Sequence, residues 1–488
     1  MDLAISLESN NALPLHRQLY EELRRAILSA RLRPGERLPS TRALASSLGI
    51  SRATVTQSYE QLISEGYLQG VVGSGTKVCV QLPDELLRTA PVKAAAAPQQ
   101  QRKPQLTRYG QSLDDSVPLE PPEPELPINF KSGRPALEEF PLTQWRRLLL
   151  RHCRSDQAAL LDYATNLRGL PELRHAIAEH VARSRAVRCS AEQVIIINGS
   201  QQAIDLITKL LIERGDTVAV ENPGYLGARR AFLAQGAKLQ PIPVDENGIV
   251  VERLAALPPQ LVKLVYVTPS HQFPTGVVLP LARRLELLQW AETNGAVIIE
   301  DDYDSEFRYD SRPIPALQGL TENANVLYVG TFSKVLFPSL RIGYLVVPTS
   351  LTHVFARARW IADRQTPTLE QLALTDFIRE GHLDRHLRRM RTLYDKRRQV
   401  LVRALRHHFG ERVSILGENT GMHLMVRWQT KLPAEELVRR AAEAGVGIVS
   451  AALYYLERAP QDEFVLGYAG LSERRIQEGV RRLAKILS

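Results

Sequence analysis

Lys334 lies in the run Tyr328-Val-Gly-Thr-Phe-Ser-Lys-Val-Leu-Phe-Pro-Ser-Leu-Arg-Ile-Gly-Tyr344. The small hydroxyl residues Thr331 and Ser333 precede it, and Arg341 follows seven positions later. A lysine amine forms a Schiff base with an aldehyde. Hydroxyls and a guanidinium hold a phosphate. A ligand that carries both groups suits this set, and pyridoxal 5′-phosphate is such a ligand. Four further motifs share one habit: each follows an apolar run. They are Asn198-Gly-Ser-Gln-Gln-Ala, Glu221-Asn-Pro-Gly-Tyr225, Val267-Thr-Pro-Ser-His-Gln-Phe-Pro-Thr-Gly276 and Ile298-Ile-Glu-Asp-Asp-Tyr303-Asp-Ser-Glu-Phe. The Gly-Ser turn of the first opens a helical pattern, and free N–H groups at a helix start favour phosphate.

These motifs need a scaffold that gathers separate loops. Strand-like runs occur at Val194–Ile197, Thr217–Val220, Leu261–Thr268, Ala296–Glu300 and Val326–Val329. Helical patterns such as Gln201–Glu213 and Leu281–Thr293 lie between them. The alternation predicts an α/β fold with a mostly parallel sheet and helices on both faces. Ligands of such sheets bind at the carboxyl ends of the strands. Asp302, Asp304 and Glu306 read as solvated or loop-capping acids.

The first 80 residues follow a different pattern. Leu15, Leu19, Leu23, Ala26 and Ile27 line one helical face over Leu15–Ala30. Ser40 can cap a helix over Thr41–Leu48, Gly49 can turn the chain, and Ser51 can cap a helix running to about Glu65. Two helices joined by a tight turn make a helix-turn-helix, with Ser51, Arg52, Thr54 and Gln57 at the start of the recognition helix. Val71 to Val80, with Gly73-Ser-Gly75, reads as a β-hairpin wing. Leu44, Leu48, Val55, Leu62 and Leu68 are expected in the core. Residues 81–127 contain Ala94–Ala97, Gln99–Gln101 and repeated prolines, and read as an extended linker.

The chain has 488 residues, 44% of them hydrophobic, and a net charge of +9. Residues 1–80 hold nine Lys/Arg against seven Asp/Glu, so their pattern and not their bulk charge argues for DNA. The basic tract Arg385–Arg406 reads as a solvated helix face. No apolar run of transmembrane length and no signal peptide is read, and a cytoplasmic location is expected. Cys79, Cys153 and Cys189 suit a reducing compartment, and no metal site is expected from them.

The run Pro39-Ser-Thr-Arg-Ala-Leu-Ala-Ser-Ser-Leu-Gly-Ile-Ser-Arg-Ala-Thr-Val55, followed by Tyr59-Glu-Gln-Leu-Ile-Ser-Glu-Gly-Tyr-Leu68, resembles the GntR-type winged helix-turn-helix of bacterial regulators. That resemblance implies DNA contact by Arg42, Arg52 and the wing glycine Gly75. The ordered motifs from residue 128 to 488 resemble fold-type I aminotransferases. They imply Lys334 as the Schiff-base lysine, Asp301 as partner of the pyridinium nitrogen, Tyr303 as donor to the phenolic oxygen and Tyr225 as the stacking ring. The implied phosphate contacts are Ser200, Gln201, Thr331, Ser333 and Arg341. Two positions depart from the aminotransferase pattern. Phe273 stands where an asparagine usually binds the phenolic oxygen, with His271 and Gln272 as neighbours. Val465, in Phe464-Val-Leu-Gly-Tyr-Ala-Gly470, stands where an arginine usually clamps the substrate carboxylate; Arg229 and Arg427 are alternatives by sequence.

Together the two halves resemble the MocR-type subgroup of GntR regulators. The organisation expected is a winged helix-turn-helix at 1–80, a linker at 81–127 and an aminotransferase-like cofactor-binding and dimerisation domain at 128–488. The resemblance implies a head-to-tail homodimer, double-stranded operator DNA, a pyridoxal phosphate or amine effector, and RNA polymerase as partners. Expected targets are genes of vitamin B6 or of amine and amino-acid metabolism. A working aminotransferase with a fused DNA-binding domain is the alternative, and turnover is left open.

Overall fold

The computed structural model describes residues 5, 7, 13–71, 75–83, 104–114, 126–154, 162–163, 166–309, 314–321, 325–457 and 459–487. The chain divides into two compact units, Met1–Gln105 and Leu106–Ser488.

In the first unit, α1 (Leu15–Leu28) packs its apolar stripe on α3 (Arg52–Ser64). Between them α2 (Thr41–Leu48) starts at Ser40, whose hydroxyl accepts from Ala43 N at 3.2 Å. It ends at Gly49, where φ is +66° and a side chain would be strained. Ser51 caps α3 by accepting from Thr54 N at 3.1 Å. β1 (Leu68–Val71) and β2 (Gly75–Val78) form the antiparallel wing. The wing begins at Leu68 and not at Val71, because Tyr67 and Leu68 are already buried against the helices. Leu44, Val55, Leu62 and Leu68 lie in the core, while Leu48 is only half-buried.

The stretch expected to be extended contains a helix, Arg108–Asp114. It docks on the helix Leu226–Gln235, with the Ser112 hydroxyl donating to Ala234 O at 3.1 Å.

The second unit opens with β3 (Ile128–Asn129), which pairs in parallel with the distant β14 (Val446–Gly447). The unit is built on an eight-stranded sheet. In chain order its strands are β4 (Val194–Ile197), β5 (Thr217–Asn222), β6 (Lys238–Asp245), β7 (Gly248–Ile249), β8 (Val262–Val267), β9 (Val297–Asp302), β10 (Val326–Thr331) and β11 (Gly343–Val346). The spatial order is β4-β11-β10-β9-β8-β5-β6-β7. The β10–β9–β8–β5–β6 block is parallel, and β11 runs antiparallel to both its neighbours. The central strands β8, β9 and β10 are largely buried on both faces, which accounts for their Val/Ile/Leu-rich runs. A second, antiparallel sheet follows, formed by β12 (Val413–Leu416), β13 (His423–Trp428), β15 (Val449–Ser450) and β16 (Glu463–Gly467), in the order β12-β13-β16-β15. No described helix is long and apolar enough to cross a membrane.

Candidate cofactor pocket and nucleic-acid interface

The five motifs meet at the carboxyl ends of β4, β5, β8, β9 and β10, where a parallel sheet presents its ligands. Lys334 follows β10 and donates from Nζ to Gly133 O at 3.2 Å. Gly133 has φ +73°, and a Cβ there would stand 2.7 Å from Nζ, so another residue would be strained and would push the amine aside.

Asp301, near the end of β9, is buried. Its Oδ2 accepts from the Tyr266 hydroxyl at 2.6 Å, whereas Oδ1 is buried without a hydrogen-bond partner. Burial pushes this carboxyl up to about 6, against the lowering effects of Tyr266 and Lys334. A buried carboxylate oxygen without a donor costs free energy unless an N–H or a proton meets it.

The antiparallel return of β11 sets Gly343 opposite Ile197 and carries Arg341 to the end of β4. Arg341 donates from Nη2 to Asn198 O at 2.7 Å. Its guanidinium lies over Gly199, where a Cβ would come within 2.9 Å. Gly199, at φ +99°, begins the helix Ser200–Leu211, whose first N–H groups are free of helical partners. Ser333 Oγ is buried without a partner, and Ser333 N donates to Thr331 Oγ1 at 3.1 Å. Gln201 instead turns aside, donating to Gly227 O at 3.0 Å, with the Tyr225 hydroxyl 3.4 Å from its Oε1.

Phe273 is ringed by aromatic side chains, with centroids 4.8 Å from Tyr454, 5.4 Å from His423, 6.0 Å from Tyr225 and 6.3 Å from Tyr303. Gln272 is occupied elsewhere: it donates to Pro223 O at 2.8 Å and accepts from Thr275 N at 3.1 Å and its hydroxyl at 2.6 Å. His271 is the neighbour that reaches Tyr303, whose hydroxyl donates to His271 O at 2.9 Å and lies 3.0 Å from Nδ1. His271 also faces Asp304 at 3.0 Å. Behind it, the backbones of Gly276 and Gly417 touch: a Cβ on Gly276 would stand 2.7 Å from Gly417 Cα.

Val465 is fully buried with Met425 and Ala451. Neither arginine proposed in its stead is available. Arg229 donates to Tyr454 O at 2.8 Å, and Arg427 pairs with Glu463 at 2.5 Å.

The acids of this loop correct the reading made from sequence. Asp302 and Asp304 are buried and not solvated. Asp302 accepts from Arg185 Nε at 2.8 Å and from the Tyr328 hydroxyl at 2.6 Å, which offsets its desolvation. The basic tract 385–406 is largely the exposed helix face expected, with Arg389 and Lys396 in surface pairs with Glu139 and Glu473 at 2.7 Å, whereas Arg397 is buried and pairs with Glu138 at 3.1 Å.

On the first unit, Arg42, Ser51, Arg52, Gln57 and Gly75 are exposed and Thr54 is half-buried. Arg52 Nε donates to Thr41 Oγ1 at 3.4 Å, which ties the recognition helix to α2. The hydroxyls of Ser51 and Thr54 lie 2.9 Å apart, so both serve the cap. Arg37, absent from the sequence reading, lies against the wing: a Cβ on Gly75 would stand 3.1 Å from its Nε. Sequence reasoning also missed Gly133, His271's pairing with Asp304, and His423. Only the long-range packing of distant segments reveals them.

Residues 127–483 match the family described as aminotransferase class I and II, and residues 15–78 match the bacterial regulatory proteins of the gntR family. Over 98% of this chain and 94% of the relative, the sequence is 41% identical to the probable rhizopine catabolism regulatory protein MocR of Rhizobium meliloti. It is 32% identical, over 97% of this chain and 96% of the relative, to the pyridoxine biosynthesis transcriptional regulator PdxR of Corynebacterium glutamicum. Among solved structures, the α-aminoadipate aminotransferase LysN of Thermus thermophilus superposes with a TM-score of 0.68 at 32% identity, covering 74% of this chain and 92% of that one.

Proposed function

Because the chain belongs to the gntR-family regulators that carry a class I and II aminotransferase domain, a fold whose cofactor is pyridoxal 5′-phosphate, we propose that Lys334 anchors that cofactor and that its occupancy sets how the chain binds DNA. The observation that carries this reading is Asp301 Oδ1, a buried carboxylate oxygen that lacks a donor and lies beside the lysine loop. An aromatic ring N–H is the group that suits it.

When bound, the cofactor supplies an aldehyde that takes up an amine and a ring that withdraws electrons. The protein's own groups do the rest. Lys334 holds the aldehyde carbon. Asp301 keeps a proton on the ring nitrogen, and Tyr266 holds that carboxylate in place through its 2.6 Å hydrogen bond. Tyr225 and Phe273 wall the ring, and Tyr303 donates to its phenolic oxygen. The N–H groups at Ser200, with Thr331, Ser333 and Arg341, take the phosphate. Gln201 supports Tyr225.

The signal is pyridoxal phosphate itself or an amine that lacks an α-carboxylate. Val465 supports this, since a buried valine among Met425 and Ala451 offers a carboxylate no cation. The names of the two relatives point to pyridoxine biosynthesis and to rhizopine catabolism as kinds of target, the former in keeping with genes of vitamin B6 metabolism. The first unit reads the operator through Arg42, Arg52, Gln57 and the Gly75 wing, with Ser51 and Thr54 setting the helix start. A head-to-tail homodimer would present two such units, and RNA polymerase would read the result. Two states with different DNA affinity, biased by ligand, are sufficient.

A gel-shift titration of the gene's own promoter region tests the reading. Pyridoxal phosphate should change the affinity or footprint of the wild type and leave Lys334→Ala unchanged. Identical curves for both proteins, with and without cofactor, would sink it.

A further inference from the structure

Tyr303 has a buried support that the general cofactor reading does not require. His271 follows β8, Asp304 follows β9, and both side chains are about 1% exposed. His271 Nδ1 lies 3.0 Å from each Asp304 oxygen. A nitrogen facing a carboxylate at that distance carries the proton, since its lone pair would otherwise oppose a negative oxygen. The Tyr303 hydroxyl, 3.0 Å from the same nitrogen, therefore cannot give its own proton there. Its proton goes either to His271 O, at 2.9 Å, or into the pocket.

The other side of the imidazole is also fixed. Nε2 is buried without a partner, and a Cβ on Gly276 would stand 3.1 Å from it. His423 packs beside the ring with centroids 4.6 Å apart, and its own Nε2 lies 3.1 Å from Pro274 O, to which it donates. Burial and the neighbouring His271 hold His423 well below the usual imidazole range, so it is neutral. Donor atoms of His271, Asp304 and His423 lie within 4.8 Å of one another. Each ring nevertheless spends an N–H on an oxygen, His271 on Asp304 and His423 on Pro274 O.

We propose that the His271–Asp304 pair is a positioning device for Tyr303, fixing the direction in which its hydroxyl donates, at a site where the Phe273 side chain supplies no donor of its own. The proposal rests on Tyr303 being the donor to the cofactor's phenolic oxygen. Asp304 locks the ring, the ring's N–H denies Tyr303 an acceptor, and the His271 carbonyl is left to compete with the cofactor. Neither His271 nor Asp304 touches the cofactor in this arrangement.

The test is a pH titration of the visible absorbance of the cofactor-loaded protein. Besides Asp304, the acids acting on Tyr303 are Asp301, Glu221 and Asp302, and Lys334 and His423 lie near; all remain in every variant that keeps them. Tyr303→Phe removes a donor from the phenolic oxygen and should raise the midpoint by about one pH unit. Asp304→Asn and His271→Ala should shift it the same way in the presence of Tyr303 and leave it unmoved in the Tyr303→Phe background. A shift from Asp304→Asn that persists without the tyrosine hydroxyl is a bare charge effect and overturns the proposal, as does no shift in its presence. No shift from Tyr303→Phe itself would remove Tyr303 from the site and the proposal with it. If His271→Ala fails to hold cofactor, Asp304→Asn, which keeps the side-chain size, decides alone. Loss of cofactor by both variants also overturns it, because a device confined to Tyr303 leaves Lys334, Asp301 and Arg341 in place.

Discussion

Asp301→Asn should stabilise the cofactor-free protein and weaken its hold on the cofactor. In the folded chain burial raises the Asp301 carboxyl to about 6 from an ordinary 3.8. A raised carboxyl pKa contributes stability that is present below the unfolded value and is lost as pH rises through the folded one. The shift corresponds to about 3 kcal/mol of destabilisation above pH 7, at 1.36 kcal/mol per unit. Roughly half of that is already lifted at pH 5, between the two values. Asparagine removes the charge, and its oxygen can still accept from Tyr266. Its amide N–H then sits near Oδ1's place without an acceptor, at a cost of about 1–2 kcal/mol. The net expectation is a gain of about 1–2 kcal/mol at pH 8 and little or none at pH 5. Thermal unfolding of dialysed wild type and variant, followed by circular dichroism from pH 5 to pH 8, measures it. The reasoning fails if the variant is less stable than wild type by the same margin across that range. With cofactor present the order should reverse, since the ring N–H loses its carboxylate.

Gly133→Ala should weaken the visible absorbance of the lysine-bound cofactor, because the new methyl would stand 2.7 Å from the flexible Lys334 Nζ and displace it, at a φ of +73°. The conformational cost adds about 1–2 kcal/mol to destabilisation, and absorbance spectra with a melting curve separate the two effects. Arg42→Ala and Arg52→Ala should each weaken operator binding and lower the salt slope by about one for every phosphate the variant no longer neutralises. Fluorescence anisotropy at several salt concentrations reads this, while cofactor absorbance should not change.

The large fold was legible because its central strands are largely buried on both faces and write themselves as apolar runs. β6 escaped notice because it carries Pro241 and Pro243, which fall before its short pairing with β7, where the strand has a ladder only with β5. The lysine motif and Asp301 could be read in line, since each lies at the end of its own strand. The acids beyond Asp301 could not. Asp302 is paired with Arg185, 117 residues earlier, and Asp304 accepts from His271, 33 residues earlier, so local composition alone suggests solvated side chains. His423 lies on the second sheet and meets His271 only through tertiary packing. The helix Arg108–Asp114 owes its place to docking against the helix Leu226–Gln235, which the Pro/Ala/Gln composition around it gave no means to foresee.

The glycine contact behind His271 has a mechanical meaning. Gly276 belongs to the loop that ends β8, and Gly417 ends β12 on the second sheet. Their main chains touch directly, and the Thr420 hydroxyl, 3.4 Å from Gly276 O, bridges the same seam. Side chains at such a junction would absorb a small displacement by changing rotamer. Bare backbone has no such slack. The two glycines thus form a close main-chain contact, through which a shift of the pocket loop would be passed to the smaller sheet as a push between main chains.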